Sequence, residues 1–296
     1  MFAVRVLASI ALVFLPLSAT AQITLSPDDL RPSLGMTWEQ EIATVPSSLA
    51  NTGFDIGSAG AGQSFDLTGS IPNSILTFVR SSVIPLEQAP DAASFPDADY
   101  AVHNITTVPN ATGGTDEIET YNYFQRSAAG DVAVGAEGPA GQVPIPLVDI
   151  GTPWPLEFGK SWMIENFSLD QTLAPGVISS GLYNYQYAVD AWGEIRLPAG
   201  TFECLRIHQT GTGVVTFTGN DQLASLGEVT AEIDAYGWYA RGIGAVAVVV
   251  ESKQTFASGV LPPTTATQIA RLTEIYSPAS AVEAESWGAL KQKFAE

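Results

Sequence analysis

The stretch that most constrains this chain is Tyr183 to His208, YNYQYAVDAWGEIRLPAGTFECLRIH. Tyr183, Tyr185, Tyr187, Val189, Ala191, Ile195 and Leu197 all fall on odd positions, the period of two that a pleated strand imposes. Tyrosine, valine and isoleucine suit such a half-buried surface. Leu197-Pro198-Ala199-Gly200-Thr201 follows as a turn. Pro198 pre-sets its own φ, and Gly200 can adopt the left-handed conformation that closes a three-residue hairpin. That turn predicts Leu197 opposite Thr201, Ile195 opposite Glu203 and Gly193 opposite Leu205. One face then carries Val189, Ile195, Leu197, Leu205 and Ile207 as core. The other carries Trp192, Glu194, Arg196, Phe202, Cys204, Arg206 and His208, with Trp192 stacked on Arg206 and Glu194 diagonal to it. That second face reads either as a ligand platform or as a mixed outer surface with one cation–π pair.

The remaining chain repeats the pattern of short strands and turns. Strands are expected at Met36 to Val45, around Phe65 to Leu67, and at Ile75 to Ile84, Tyr100 to Val108 and Ile118 to Arg126. Others follow at Lys160 to Leu173, Gly213 to Gly219, Val229 to Tyr239, Ala245 to Phe256 and Thr264 to Tyr276. Glu87 to Tyr100 reads as an acidic, proline-punctuated loop. Five prolines in Gly138 to Pro155 mark a long connection, a candidate seam at 138–158 within one β-rich unit spanning 22–276. Without long helical periodicity, the expected fold is all-β: an antiparallel sandwich or an open half-barrel. After a small, polar linker from residue 277, Ser286 can cap a short C-terminal helix with Trp287, Leu290 and Phe294 on one side. That tail reads as a helix docked on the β core or as a segment that retains the protein at a surface.

The first 21 residues read as a secretory signal peptide: Arg5, an apolar run from Val6 to Leu17, and a small-residue site ending at Ala21. Cleavage there leaves 275 of 296 residues, and no later stretch is apolar for a membrane-spanning length. The protein is therefore expected to be exported: periplasmic, at the cell surface or extracellular. The balance of 12 Lys+Arg against 31 Asp+Glu gives a net charge of −19, and loss of Arg5 makes it more negative still. Such a surface repels nucleic acid phosphates and anionic lipid head groups. A lone cysteine, Cys204, excludes an internal disulfide framework and reads as a small packed hydrophobe.

Chemistry-bearing motifs are sparse. Only two histidines occur, His103 and His208, both inside strand patterns, and no H-E-x-x-H, G-x-S-x-G or phosphate-loop motif is present. Gly60-Ala61-Gly62 lacks the third glycine of a dinucleotide fingerprint. Asp91, Asp97 and Asp99 cluster in one loop and are candidate calcium ligands, although their spacing matches no established calcium loop; no other cofactor is indicated. Paired carboxylates such as Asp97 and Asp99 also keep open a secreted glycan hydrolase.

The segment VDAWGEIRLPAGTFECLRIH, together with GSAGAGQSFDLTG before it and YGWYARGIGAVAVVVE after it, resembles uncharacterised secreted bacterial β-rich proteins. A strand followed by PAGTF and an alternating strand is also similar to lipoprotein-carrier-like half-barrel domains of unknown function. The resemblance implies an envelope or secreted location and a curved antiparallel sheet, and it carries no catalytic residue across. Aromatic density beside a sparse catalytic inventory favours a non-enzymatic module that binds an apolar (lipid) or glycan ligand or serves structurally. Trp192, Arg206, Tyr185, Tyr187 and Trp238 are the candidate ligand-binding residues.

Overall fold

The computed structural model describes residues 22–110, 112–139, 141–144, 152–174 and 176–276. The signal segment, the linker and helix expected in the C-terminal tail, and much of the proposed seam lie outside them. The described residues form one open antiparallel-rich sheet of thirteen strands, neither closed into a barrel nor split into a sandwich. In chain order these are β1 (Thr37–Val45), β2 (Gly60–Asp66), β3 (Ile75–Pro85), β4 (Tyr100–Pro109), β5 (Thr115–Ser127), β6 (Gly130–Gly138) and β7 (Gly141–Pro144). They continue with β8 (Ser161–Ala174), β9 (Val177–Leu197), β10 (Gly200–Thr218), β11 (Val229–Ala240), β12 (Gly244–Phe256) and β13 (Thr264–Tyr276). The spatial order is β2-β9-β10-β11-β12-β13-β1-β3-β4-β5-β6-β7.

The expected hairpin is the longest part of this sheet. β9 and β10 pair from the Pro198-Ala199 turn to Ile178 and Thr218, so Gly213 to Gly219 is not a separate strand. β9 has one edge on β10 and shares the other between two partners. Antiparallel β8 takes its first half, and β2 runs parallel to residues 191–196. Gly193 permits that parallel contact, because a Cβ there would lie 1.9 Å from the Gln63 carbonyl oxygen.

Two details correct the expected hairpin. The turn is tighter by one residue, so Leu197 faces Gly200, Ile195 faces Phe202 and Trp192 faces Leu205. A one-residue slip moves a whole strand's side chains to the other face. Asp190 then forms a bulge, with Arg206 opposite Ala191 and Ile207 opposite Val189. Val189 and the tyrosines before it are thus on the face opposite Ile195 and Leu197. Trp192 and Arg206 point to opposite sides of the sheet, so the expected stack between them does not form, and Glu194 is likewise on the far side from Arg206.

The first face carries Ala191, Ile195, Leu197, Cys204, Trp238, Val249 and Ile269, packed against Phe65, Leu67 and Ile71 of the irregular segment around β2. Two buried arginines fasten that segment. Arg206, 2% exposed, makes a bidentate pair with Asp190 at 2.9 and 2.8 Å and donates to the carbonyls of Ile56 and Gly57. Its guanidinium lies 5.2 Å from the ring centroids of both Phe65 and Tyr236. Arg271 pairs with Glu41 at 2.9 Å and donates to the carbonyls of Leu67 and Gly69. Phe95 and Ala98, from the loop before β4, cover Ala101 and Tyr123 on the same face.

The second face is covered in part by the chain's first described residues. Leu25 and Leu156 exchange backbone hydrogen bonds and pack with Ile23 on Val189, Trp192 and Leu205. Elsewhere that face is open.

Candidate functional site

Side-chain alternation builds a concave site on the second face. Trp38 pairs with Ser81, Ser81 with Asn104, Val102 with Asn122 and Tyr100 with Phe124, so all seven share one side of β1, β3, β4 and β5. The sheet curls so that Tyr239, Ile243 and Ala245 of the β11–β12 hairpin and Asp131 to Ala133 of β6 line the same cleft, about 890 Å³ in volume. Pro27 to Pro32 and Trp154 form its rim.

The walls are largely aromatic. Tyr100 and Phe124 stack at 5.3 Å with 13° between planes, and the Arg126 guanidinium lies 4.9 Å from the Tyr100 ring centre. Polar groups form a stripe along the floor: Gln40, Ser81, Asn104 and Asn122. Ser81 donates to Asn104 at 2.7 Å, whereas the side-chain amides of Gln40 and Asn122 have no hydrogen-bond partner among the described residues.

One end of the cleft is held by charge. Asp131 accepts from the Tyr100 hydroxyl at 2.7 Å and from Arg31 Nε at 2.6 Å. Arg31 also binds Asp28 and the Ser127 carbonyl. Burial first, then the hydrogen bond to Asp131, drives the Tyr100 phenol far above its ordinary pKa, and Asp131 raises that of Arg31. Arg241, in the β11–β12 turn, binds Asp29 and the Thr24 carbonyl, so the rim segment is tied at both sides. Because carboxylates already engage it, Arg31 is not a free anchor for an anionic ligand.

The residues singled out from sequence do not converge on this cleft. Trp238 is fully buried on the first face, edge-on to Phe65 at 5.6 Å. Arg206 is the structural clamp described above, and Trp192 is buried in the cluster around Leu25. Tyr185 and Tyr187 belong to an aromatic row on the distal half of β9, next to Tyr183 and Trp162. Asp91, Asp97 and Asp99 are exposed on the loop before β4, where Asp99 accepts the Arg126 backbone N–H at 2.6 Å. Among the described residues, no three His, Cys, Asp or Glu side chains come together as a metal site.

His103 stacks on Tyr121 at 4.5 Å, and His208 stacks on Tyr236 at 4.4 Å while bonding Asp234 at 2.7 Å. Neither bonds a hydroxyl or thiol nucleophile among the described residues. Cys204 is buried, and burial pushes its thiol pKa up to about 12, the opposite of an activated nucleophile. No described helix is long and apolar enough to cross a membrane.

Sequence reasoning missed the cleft because its residues come from segments far apart in the chain: the Pro27 to Pro32 rim, β1, β3, β4, β5, β6, Trp154 and the β11–β12 hairpin. The available signal was local: aromatic and amide residues alternate on one parity in Trp38/Gln40, Tyr100/Val102/Asn104 and Asn122/Phe124.

No protein-family model matches the chain, and no curated protein matches it. Two solved structures are similar to it. One is a lipoprotein candidate from Parabacteroides distasonis ATCC 8503, 11% identical, covering 85% of this chain and 99% of its own, with a TM-score of 0.33. The other is a candidate exported protein with a YmcC-like fold from Bacteroides fragilis NCTC 9343, 14% identical, covering 87% and 100%, with a TM-score of 0.33. Superpositions at that level carry no argument about function. Fold and cavity together define an open-sheet β protein with a one-sided, aromatic-walled cleft.

Proposed function

We propose that this is an exported, non-enzymatic module that binds an apolar ligand in the cleft of the second face. The observation that carries this reading is the cleft itself. It measures about 890 Å³, within the roughly 300–1,000 Å³ range usual for small-molecule sites, and has apolar walls with a few polar groups on its floor. Gln40 and Asn122 can orient a neutral polar group such as an ester, amide or hydroxyl on an otherwise apolar chain. An anionic head group is disfavoured by the engaged Arg31 and by the chain's net charge of −19. Export rests on the first 21 residues.

Titrating the mature chain with the neutral probe N-phenyl-1-naphthylamine tests the reading. Saturable fluorescence enhancement is expected, with loss of at least tenfold in affinity in Ala133→Trp, which puts an indole into the cleft. No enhancement, or equal enhancement in the filled variant, overturns it.

A further inference from the structure

The distal half of β8–β10 carries a feature that the cleft does not use. On the second face Tyr183 sits directly opposite Gly213, and Tyr185 directly opposite Gly211. A Cβ on Gly213 would lie 2.2 Å from the Tyr183 ring, one on Gly211 would lie 2.4 Å from the Tyr185 ring, and one on Gly181 would lie 2.4 Å from Tyr183. No residue but glycine leaves room for those rings, which therefore rest on the neighbouring backbone and not upright from it. The Tyr183 and Tyr185 rings are 8° from parallel with centroids 5.7 Å apart, and Phe167 flanks both at 6.2 and 6.4 Å.

Both tyrosines stay half-exposed, and their hydroxyls have no hydrogen-bond partner among the described residues. Apart from the short helical turn Asp221–Ala224 beside the end of β10, the described elements with extensive contacts to this part of the sheet are its neighbouring strands. The aromatic row is also separate from the cleft. Tyr187 stacks on Trp162 at 4.9 Å, and Trp162 packs into the cluster around Leu25 and Leu156 that stands between row and cleft.

We propose that Tyr183 and Tyr185, laid on Gly211 and Gly213, form a stacking platform for a neutral glycan chain. Two near-parallel, half-exposed rings laid over glycines offer rigid aromatic faces, which suit a sugar ring better than a flexible alkyl chain. A sugar ring sets its C–H face on an aromatic face while its rim hydroxyls reach the phenol oxygens. Charge selects among other flat partners. A net charge of −19 repels a phosphate polymer and disfavours a second copy of this chain, whereas a neutral saccharide meets no such repulsion. The proposal concerns a site and ligand class distinct from the cleft, and it stands or falls without it.

The test is calorimetric and saturation-transfer NMR titration of the mature chain with three neutral hexasaccharides: β-1,4-glucose, β-1,3-glucose and β-1,4-N-acetylglucosamine. At least one is expected to bind. Tyr183→Ala/Tyr185→Ala is expected to weaken that binding at least about tenfold, or ~1.4 kcal/mol, with N-phenyl-1-naphthylamine binding unchanged. Tyr183→Phe/Tyr185→Phe keeps the ring faces and is expected to retain most of it. If the alanine variant folds poorly, the ring-proton shifts of Tyr183 and Tyr185 on titrating the intact chain decide. Their movement supports the platform, and their constancy overturns it. Absence of binding by all three saccharides overturns it, as does equal binding by a folded alanine variant. A dimer in sedimentation that the alanine variant abolishes assigns the face to a second copy and overturns it too.

Discussion

Arg206→Ala should be among the most damaging single substitutions in the described chain. The side chain is 2% exposed, and its partner Asp190 only 16%. Four hydrogen bonds leave the guanidinium, two to the Asp190 carboxylate and two to the carbonyls of Ile56 and Gly57, while Phe65 and Tyr236 flank it. Alanine removes all of these and strands the carboxylate in a largely dry bulge. Removing one member of a buried pair costs about 3–5 kcal/mol. At roughly 2–4 °C per kcal/mol for a domain of this size, the melting temperature should fall by about 10 °C. Urea unfolding followed by tryptophan emission gives the energy, and calorimetry gives the melting temperature. Arg206→Met/Asp190→Asn should recover more than half of the loss, because no buried charge is left without its partner. A loss below about 1 kcal/mol for Arg206→Ala, or no recovery in the double variant, would refute the clamp.

Other outcomes follow from the same geometry. Gly211→Ala should destabilise by about 1–3 kcal/mol through the clash with Tyr185, and adding Tyr185→Ala should cost less than the two single effects combined, measured as a double-mutant cycle. Cys204 should resist Ellman's reagent at pH 8 in the native chain and react promptly in urea, because burial holds its thiol pKa near 12. Tyr185 and Tyr187 are also raised to about 12, by burial and then by neighbouring tyrosines. The native state therefore keeps protons that the unfolded chain releases, and stability should decline from about pH 9 towards pH 12; a flat profile there would contradict these assignments. Asp29 is held below its ordinary value, first by the Ser26 backbone N–H, then by the Ser26 hydroxyl and Arg241. Its contribution to pinning the rim segment should be present above pH 4 and fade as pH falls further, seen as faster amide exchange across residues 24–31.

Much of the architecture was legible in sequence, because period-two alternation with Gly/Pro punctuation reports strands directly. β13 matches the expected Thr264 to Tyr276, and β11 and β12 fall within a residue of the expected Val229 to Tyr239 and Ala245 to Phe256. Pairing was harder to read. Nothing local marks β2 as a parallel partner of β9, since their pairing depends on a backbone approach over Gly193 that exists only in the folded chain. The β9–β10 register turned on one residue of loop length, and the Asp190 bulge then exchanged the faces once more. Alternation sets which residues share a face, but not where that face changes side, so Trp192 and Arg206 were matched across a sheet that separates them. The tyrosines were legible as a row, while their glycine floor needed the pairing of Tyr183 with Gly213 and Tyr185 with Gly211. The cleft needed the curl of the whole sheet.

The most direct test of the central claim is native mass spectrometry of the mature chain, purified gently from the exported fraction of its source. Ligand binding in the aromatic cleft predicts a co-purifying apolar species at one per chain that is absent from the Ala133→Trp variant. A clean apo mass for the native chain, unchanged after incubation with N-phenyl-1-naphthylamine, would contradict it.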